Sequence, residues 1–211
     1  MKKISPIIQG KTVSTRTVIG NIALSLDGRV NGPGGEYDMG WIVPHAITDA
    51  ARNNMINVTS PATTVLLGRK NYAGFSQYWP SVVDNESADS RDRAFSKWLN
   101  SVEKIVFSST LKEGAWENSR IIDADPVTVI GDLLRQDGGD INVLASGSII
   151  KRLLQADALD RLSITLCPEV SGGGACLFED GLAPSSWTLR QSTVTESGAI
   201  CLLYDRVRVG K

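Results

Sequence analysis

The stretch from Ile141 to Cys167, INVLASGSIIKRLLQADALDRLSITLC, decides the fold. Ile141 to Ala145 is a short apolar run of strand length. Ser146-Gly147-Ser148 interrupts it with the small residues that open a helix. From Gly147 to Ala156, Ile149, Ile150, Leu153 and Leu154 fall on one stripe at helical spacing, and Leu159 continues it. Asp160 to Cys167 then reads as a second strand.

Outward from this unit the pattern repeats. Val18 to Leu26 alternates, with Ile22, Leu24 and Leu26 on one face and Ala23, Ser25 and Asp27 on the other. A Gly/Pro-rich loop at Gly32 to Gly35 follows, then a helix predicted from Pro44 to about Asn57 with proline in its first turn. Thr63 to Gly68 and Lys104 to Ser108 are strands, and Ile121-Ile122 is a further short one. Asn71 to Asn85 is helix or loop, Ser90 to Asn100 is helical, and Pro126 to Gln136 is a helix capped by Asp125. Ser186 to Val194 and Ala199 to Val209 close the chain as consecutive strands. Alternation first and paired strands last imply an α/β mixed sheet with an antiparallel C-terminal hairpin. Residues 1 to about 15 lack periodicity and read as a tail or arm, and the rest as one domain.

Composition narrows the function classes. With 211 residues a full core forms without staples, and a formal net charge of −1 gives no reason to expect nucleic acid or an anionic membrane as partner. Cys167, Cys176 and Cys201 have no metal spacing and read as reduced structural thiols of a cytoplasmic protein. A lone histidine, His45, excludes a multi-histidine metal site and reads as a surface or helix-entry residue. MKKISPIIQG lacks an apolar core for a secretory signal, and no run reaches membrane-span length. Without such a signal the sequons at Asn57 and Asn85 are accidental matches.

Three junctions place small, hydroxyl or cationic residues where a predicted strand ends: Leu67-Gly68-Arg69-Lys70-Asn71-Tyr72, Phe107-Ser108-Ser109-Thr110, and Ala145-Ser146-Gly147-Ser148-Ile149-Ile150. In open α/β sheets ligands bind at the carboxyl ends of strands. A helix starting at Gly147 aims unpaired amides at a phosphate, and Arg69, Lys70 and the hydroxyls suit an adenosine 2′-phosphate. Each junction alone reads equally well as a turn, a loop or a cap. Neither GxGxxG nor a P-loop occurs.

The strings SLDGRVNGPGGEYDMGW, LLGRKNYAGFSQYWP, KIVFSSTL, LASGSIIKRLLQADALDRLSITLCPEVSGGGACLF and GAICLLYDR, in this order from about Arg16 to Arg208, resemble the dihydrofolate-reductase-like superfamily. Within it they are most similar to the reductase domain of the riboflavin-biosynthesis deaminase–reductase. The resemblance implies a three-layer αβα sandwich with a mixed, mostly parallel sheet, NADPH as hydride donor, a small-molecule substrate and a homodimer. Carried over by position, Ala23, Asp27 and Gly28 line the nicotinamide end. Gly68, Arg69 and Lys70 hold phosphates, and Ser108, Ser109 and Thr110 the 2′-phosphate. Gly147, Ser148, Ile149 and Ile150 form the pyrophosphate turn, while the Gly32 to Gly35 loop and Trp41 cover the substrate.

Two positions depart from the family pattern. After Trp41, alanine (Ala46) stands at the pteridine-binding acid position of dihydrofolate reductase. Ser146 stands where the riboflavin-pathway enzyme carries a substrate-binding glutamate. The implied activity is reduction of a carbonyl or imine carbon, with the ribosylaminouracil phosphate step the most specific candidate. Rivals are dihydrofolate or pteridine reduction, a dehydrogenase running the same chemistry in reverse on an alcohol, and a non-catalytic NADPH-binding sensor or scaffold. Asp27 is the candidate catalytic acid, but Asp27-Gly28 equally reads as a hairpin turn. Gly172 to Gly174 reads as a flexible turn, and Trp79, Trp98, Trp116 and Trp187 as packing.

Overall fold

The computed structural model describes residues 16–208. In chain order the strands are β1 (Val18–Leu24), β2 (Ala62–Gly68), β3 (Glu103–Phe107), β4 (Ser119–Ile122), β5 (Asp140–Leu144), β6 (Arg161–Leu166), β7 (Ser186–Val194) and β8 (Ile200–Val207). The helices are α1 (Val43–Ala46), α2 (Asp49–Thr59), α3 (Arg69–Val82), α4 (Ser90–Ser101), α5 (Pro126–Leu133) and α6 (Gly147–Gln155). The predicted N-terminal arm lies outside the described residues.

All eight strands form one sheet in the order β4-β3-β2-β5-β1-β6-β8-β7. From β4 to β6 every pairing is parallel, and β8 is antiparallel to both β6 and β7. The fold is thus the mixed, mostly parallel α/β sandwich expected, with its antiparallel C-terminal hairpin. Side-chain alternation divides two cores between the faces of the sheet. Leu66 of β2 and Ile141 and Val143 of β5 pack with Ile130 and Leu133 of α5 and Ile149, Ile150 and Leu153 of α6. Val65 and Leu67 of β2 and Leu144 of β5 point the other way, toward Tyr72 of α3 and Phe95 and Leu99 of α4. Ile150 and Leu153 are fully buried, and burying each contributes about 1.5–3 kcal/mol, which pins the stripe of α6 to the sheet.

Two elements differ from the sequence reading. The predicted helix from Pro44 splits into α1 and α2, because Thr48 takes extended backbone angles and its hydroxyl accepts from the Ala51 amide at 3.3 Å, starting a new helix. β1 stops at Leu24, and Leu26, expected on the core face, is 57% exposed. The chain turns there through Gly28, whose φ of +75° few other residues adopt readily. The ambiguous segment after Gly68 is helical from Arg69 to Val82.

Parallel pairing brings the carboxyl ends of β1 to β6 to one edge. That edge carries every junction singled out in the sequence.

Candidate functional site

At the centre of this edge, the ends of β2 and β5 are bolted together by Ser146. Its Oγ accepts from the Gly68 amide at 2.9 Å and from Asn71 Nδ2 at 3.2 Å, and donates to the Leu144 carbonyl at 2.9 Å. Asn71 Nδ2 also donates to the Ala145 carbonyl. A hydroxyl has one proton and two lone pairs, so Ser146, 2% exposed, is saturated by the protein itself. Ala145 takes a φ of +52°, a left-handed conformation costly for a residue with a Cβ. That turn lets α6 begin at once, with Gly147, Ser148 and Ile149 in its first turn, where amides lack intrahelical acceptors.

To the β3–β4 side lies a cavity of about 420 Å³, walled by Arg69, Ser108, Ser109, Thr110, Asp123 and Ala124. Arg69 makes no ion pair among the described residues. Ser108 shapes the loop, its Oγ accepting from the Leu111 amide at 2.8 Å and the Thr110 amide at 3.2 Å. Ser109 and Thr110 stay exposed. An unpaired guanidinium beside exposed hydroxyls is a donor set for a phosphate.

To the β1 side lies a second cavity, about 590 Å³. Its floor is the strand ends, with Ile22 and Ala23 of β1, Leu144 and Ala145, and Thr165 of β6. Its sides come from α2 and α3, including Met55, Phe75 and Trp79, and its mouth from Met39, Ile42, Val43 and Ile47. Three strand spacings separate β3 from β1, about 14 Å, with the Ser146 joint and the first turn of α6 between. Along this edge lie Arg69 and hydroxyls at one end, helix amides midway, and a small residue, Ala23, at the other; the charged and amide donors could hold phosphate groups.

Several expected residues lie elsewhere. Asp27 is outside the walls of both cavities. Its carboxylate accepts from Ser25 Oγ at 2.7 Å and from the Ser171 and Gly172 amides at 2.9 and 3.0 Å, with Arg29 Nε 3.5 Å away. The Ser25 hydroxyl, then the Ser171 amide, hold its pKa down to about 2. Gly28 is the left-handed residue of that turn. The Gly172 to Gly174 turn is braced rather than loose: Gly174, at φ +93°, leaves no room for a Cβ beside the Asn31 carbonyl. Lys70 pairs with exposed Glu36. Trp41 is not in the cavity wall, although its neighbours Met39 and Ile42 are. In the Gly32 to Gly35 loop the Asp38 carboxylate folds inward to the Gly34 amide at 2.9 Å. The side chains of Ile149 and Ile150 belong to the core, and the Ile150 amide, expected at the pyrophosphate turn, is spent on the Ser146 carbonyl at 3.0 Å.

Sequence reading missed Arg52, Arg91 and Asp92, gave Asn71 no role of its own within its junction, and read Trp79 as packing alone. Trp79 packs edge-to-face on Phe95, ring centres 4.6 Å apart, and also walls the larger cavity. His45, read as a surface or helix-entry residue, lies in the short helix α1 but is buried, between Ser197 Oγ at 2.9 Å and Glu169 Oε1 at 3.2 Å, tying α1 to the C-terminal hairpin. Arg52, Asn71 and His45 escaped a local reading because their partners Asp92, Ser146 and Glu169 lie 40 or more residues away.

Among the described residues there is no cluster able to hold a metal ion, and no helix long and apolar enough to cross a membrane. The family model described as the RibD C-terminal domain matches residues 16–201. The uncharacterized protein YyaP of Bacillus subtilis strain 168 is 27% identical over 190 residues, spanning 90% of this chain and 94% of YyaP. Among solved structures, a candidate riboflavin biosynthesis protein from Shewanella sp. PV-4 superposes with a TM-score of 0.66 at 22% identity, covering 91% of this chain and 99% of that one. The deaminase/reductase of Thermotoga maritima, 5-amino-6-(5-phosphoribosylamino)uracil reductase in its second activity, gives 0.60 at 15% identity, covering 91% of this chain and 57% of that one. Dihydrofolate reductase from Enterococcus faecalis, solved with NADP(H), gives 0.57 at 15% identity, covering 91% of this chain and 97% of that one.

Proposed function

This chain belongs to the RibD C-terminal domain family, a reductase-type domain on the dihydrofolate-reductase fold, and we propose that it is an NADPH-dependent reductase of a small molecule. The observation that carries the reading is Arg69: a guanidinium with no ion pair among the described residues, beside hydroxyls, at the strand-end edge that also carries the first turn of α6 and the second cavity. When bound, NADPH supplies a hydride. Arg69, Ser109 and Thr110 would hold its 2′-phosphate, the amides of Gly147 to Ile149 its pyrophosphate, and Ala23 would leave space for the nicotinamide face. Ser146 and Asn71 act as positioning residues, fixing β2 and the first turn of α3 against β5.

Titrating NADPH and NADH by fluorescence tests this directly. Tighter NADPH binding is expected, and equal affinities would remove the assignment of Arg69. Asp123, in the same wall, supports a second reading: a carboxylate suits a ribose 2′-hydroxyl, and tighter NADH binding would favour it. Following loss of the reduced-nicotinamide absorbance across a substrate panel separates an enzyme from a cofactor-binding sensor. The ribosylaminouracil phosphate step is the most specific reaction the family offers and enters that panel as its phosphorylated-sugar case. Asp27 serves in this reading as a turn brace. A homodimer, which the family resemblance implies, completes the proposal; a monomer by light scattering at micromolar concentration would remove it.

A further inference from the structure

We infer that the larger cavity takes an uncharged, flat ring compound and not a phosphorylated sugar. This rests on the reductase reading for that same cavity and names its substrate class. The argument starts from charge. Arg52 and Arg91 both line the cavity, where a phosphate would seek them. Neither is free. Arg52 Nε lies 3.0 Å from both carboxylate oxygens of Asp92, its Nη2 2.8 Å from one of them, and its Nη1 donates to the Ile47 carbonyl. Arg91 holds Asp89 at 2.7 and 2.8 Å and Asp49 at 2.5 Å. Asp89 lies 3.7 Å from Arg52 as well, joining the two pairs into one network. Two cations therefore face three carboxylates, and a phosphate dianion entering here meets a balance of about −1. To bind Arg52 it must displace a carboxylate held on two of the guanidinium nitrogens.

The remaining surface wants a ring. Phe75, Tyr78, Trp79 and Phe95 form an aromatic wall, with Trp79 at the centre of three edge contacts. At the rim Val43, Ile47 and Tyr78 are each more than half exposed, so apolar surface surrounds the mouth. The polar groups on the floor are neutral: Asn21, Asn71 and Thr165. Because Asn71 spends its amide protons on the Ala145 carbonyl and Ser146, its oxygen remains to accept from a ring N–H or O–H. A cavity of about 590 Å³ has room for one such ring beside the nicotinamide that Ala23 would admit. In the reaction, a carbonyl or imine carbon of the ring compound gains the hydride from reduced nicotinamide. The π pair moves onto oxygen or nitrogen, which takes a proton from water at the mouth.

Two probes decide the matter, phenanthrenequinone (flat, uncharged, reducible) and ribose 5-phosphate, each titrated against tryptophan fluorescence with and without NADPH. The quinone is expected to bind at least about 10-fold tighter, a difference of ~1.4 kcal/mol, and to drive NADPH oxidation. The double variant Asp89→Asn with Asp92→Asn removes both carboxylates from Arg52 and leaves Arg91 only Asp49, and is expected to raise ribose 5-phosphate affinity about 10-fold. Tighter ribose 5-phosphate binding by the unaltered protein overturns the inference, whatever the double variant does. Absence of NADPH binding overturns the reductase reading instead, and the titrations without cofactor still decide which ligand the cavity prefers.

Discussion

Arg69 stands in the wall of the smaller cavity with no carboxylate partner among the described residues. Arg52 and Arg91, in the wall of the larger one, are tied to Asp92, Asp89 and Asp49. Both cavities open at the same edge of the same sheet, and both hold guanidinium groups. What separates them is whether the charge has been answered by the protein or left for a ligand. A free guanidinium gains two charge-assisted hydrogen bonds from an incoming phosphate; a paired one must first lose those it has. In the proposed reading the anionic cofactor belongs to one side and a neutral substrate to the other, although residue types alone would make both sides basic.

The largest expected effect tests the unpaired side. Arg69→Ala should weaken NADPH by about 1.5–3 kcal/mol, the usual scale for hydrogen bonds to a charged group, and NADH much less. Parallel fluorescence titrations measure this, and equal losses for both cofactors would break the comparison. Next is the joint between the cavities. Ser146→Ala strands the Gly68 amide and one bond of Asn71, which costs about 1–3 kcal/mol. For a chain of this size thermal melting should register a fall in Tm of about 2–12 °C.

Asp27 offers a test by pH. Its folded pKa of about 2 lies below the ordinary 3.8, so its stabilisation is present above about pH 4 and is lost as pH falls from 4 toward 2. Asp27→Asn should flatten the decline of Tm over that window and leave turnover at neutral pH within a few-fold. A fall in turnover of about 10²-fold with an unchanged Tm would instead make Asp27 a proton-transfer group. The smallest effect belongs to Lys70, which is exposed and paired with Glu36. Lys70→Ala should alter NADPH affinity by less than about 1 kcal/mol. A loss equal to that of Arg69→Ala would place Lys70 on the phosphates after all.

Much of the fold was legible because it rests on local signals. The run from Ile141 to Cys167 showed strand, helix and strand from apolar spacing alone, and the helix stripe of Ile149, Ile150 and Leu153 is the one buried. Asp125 was readable as a cap, and its carboxylate accepts from the Val127 amide at 2.7 Å. The break at Thr48 was not readable, because a hydroxyl that caps a helix and one that sits within it look alike in sequence. The three junctions of the candidate cofactor site were legible as strand ends bearing donors.

What the chain by itself determined is therefore the order of its elements and the donors at their ends, since periodicity and caps act over a few residues. The tertiary structure alone decided which charges are spent. Asp27 meets the amide of Gly172, 145 residues on, and Arg52 meets Asp92, 40 residues on. Ser146 closes on Gly68 across 78 residues. Each of these pairings follows from the strand order, which sets elements distant in sequence side by side. A hydrogen bond or ion pair depends on separation in space, and no local pattern encodes that distance.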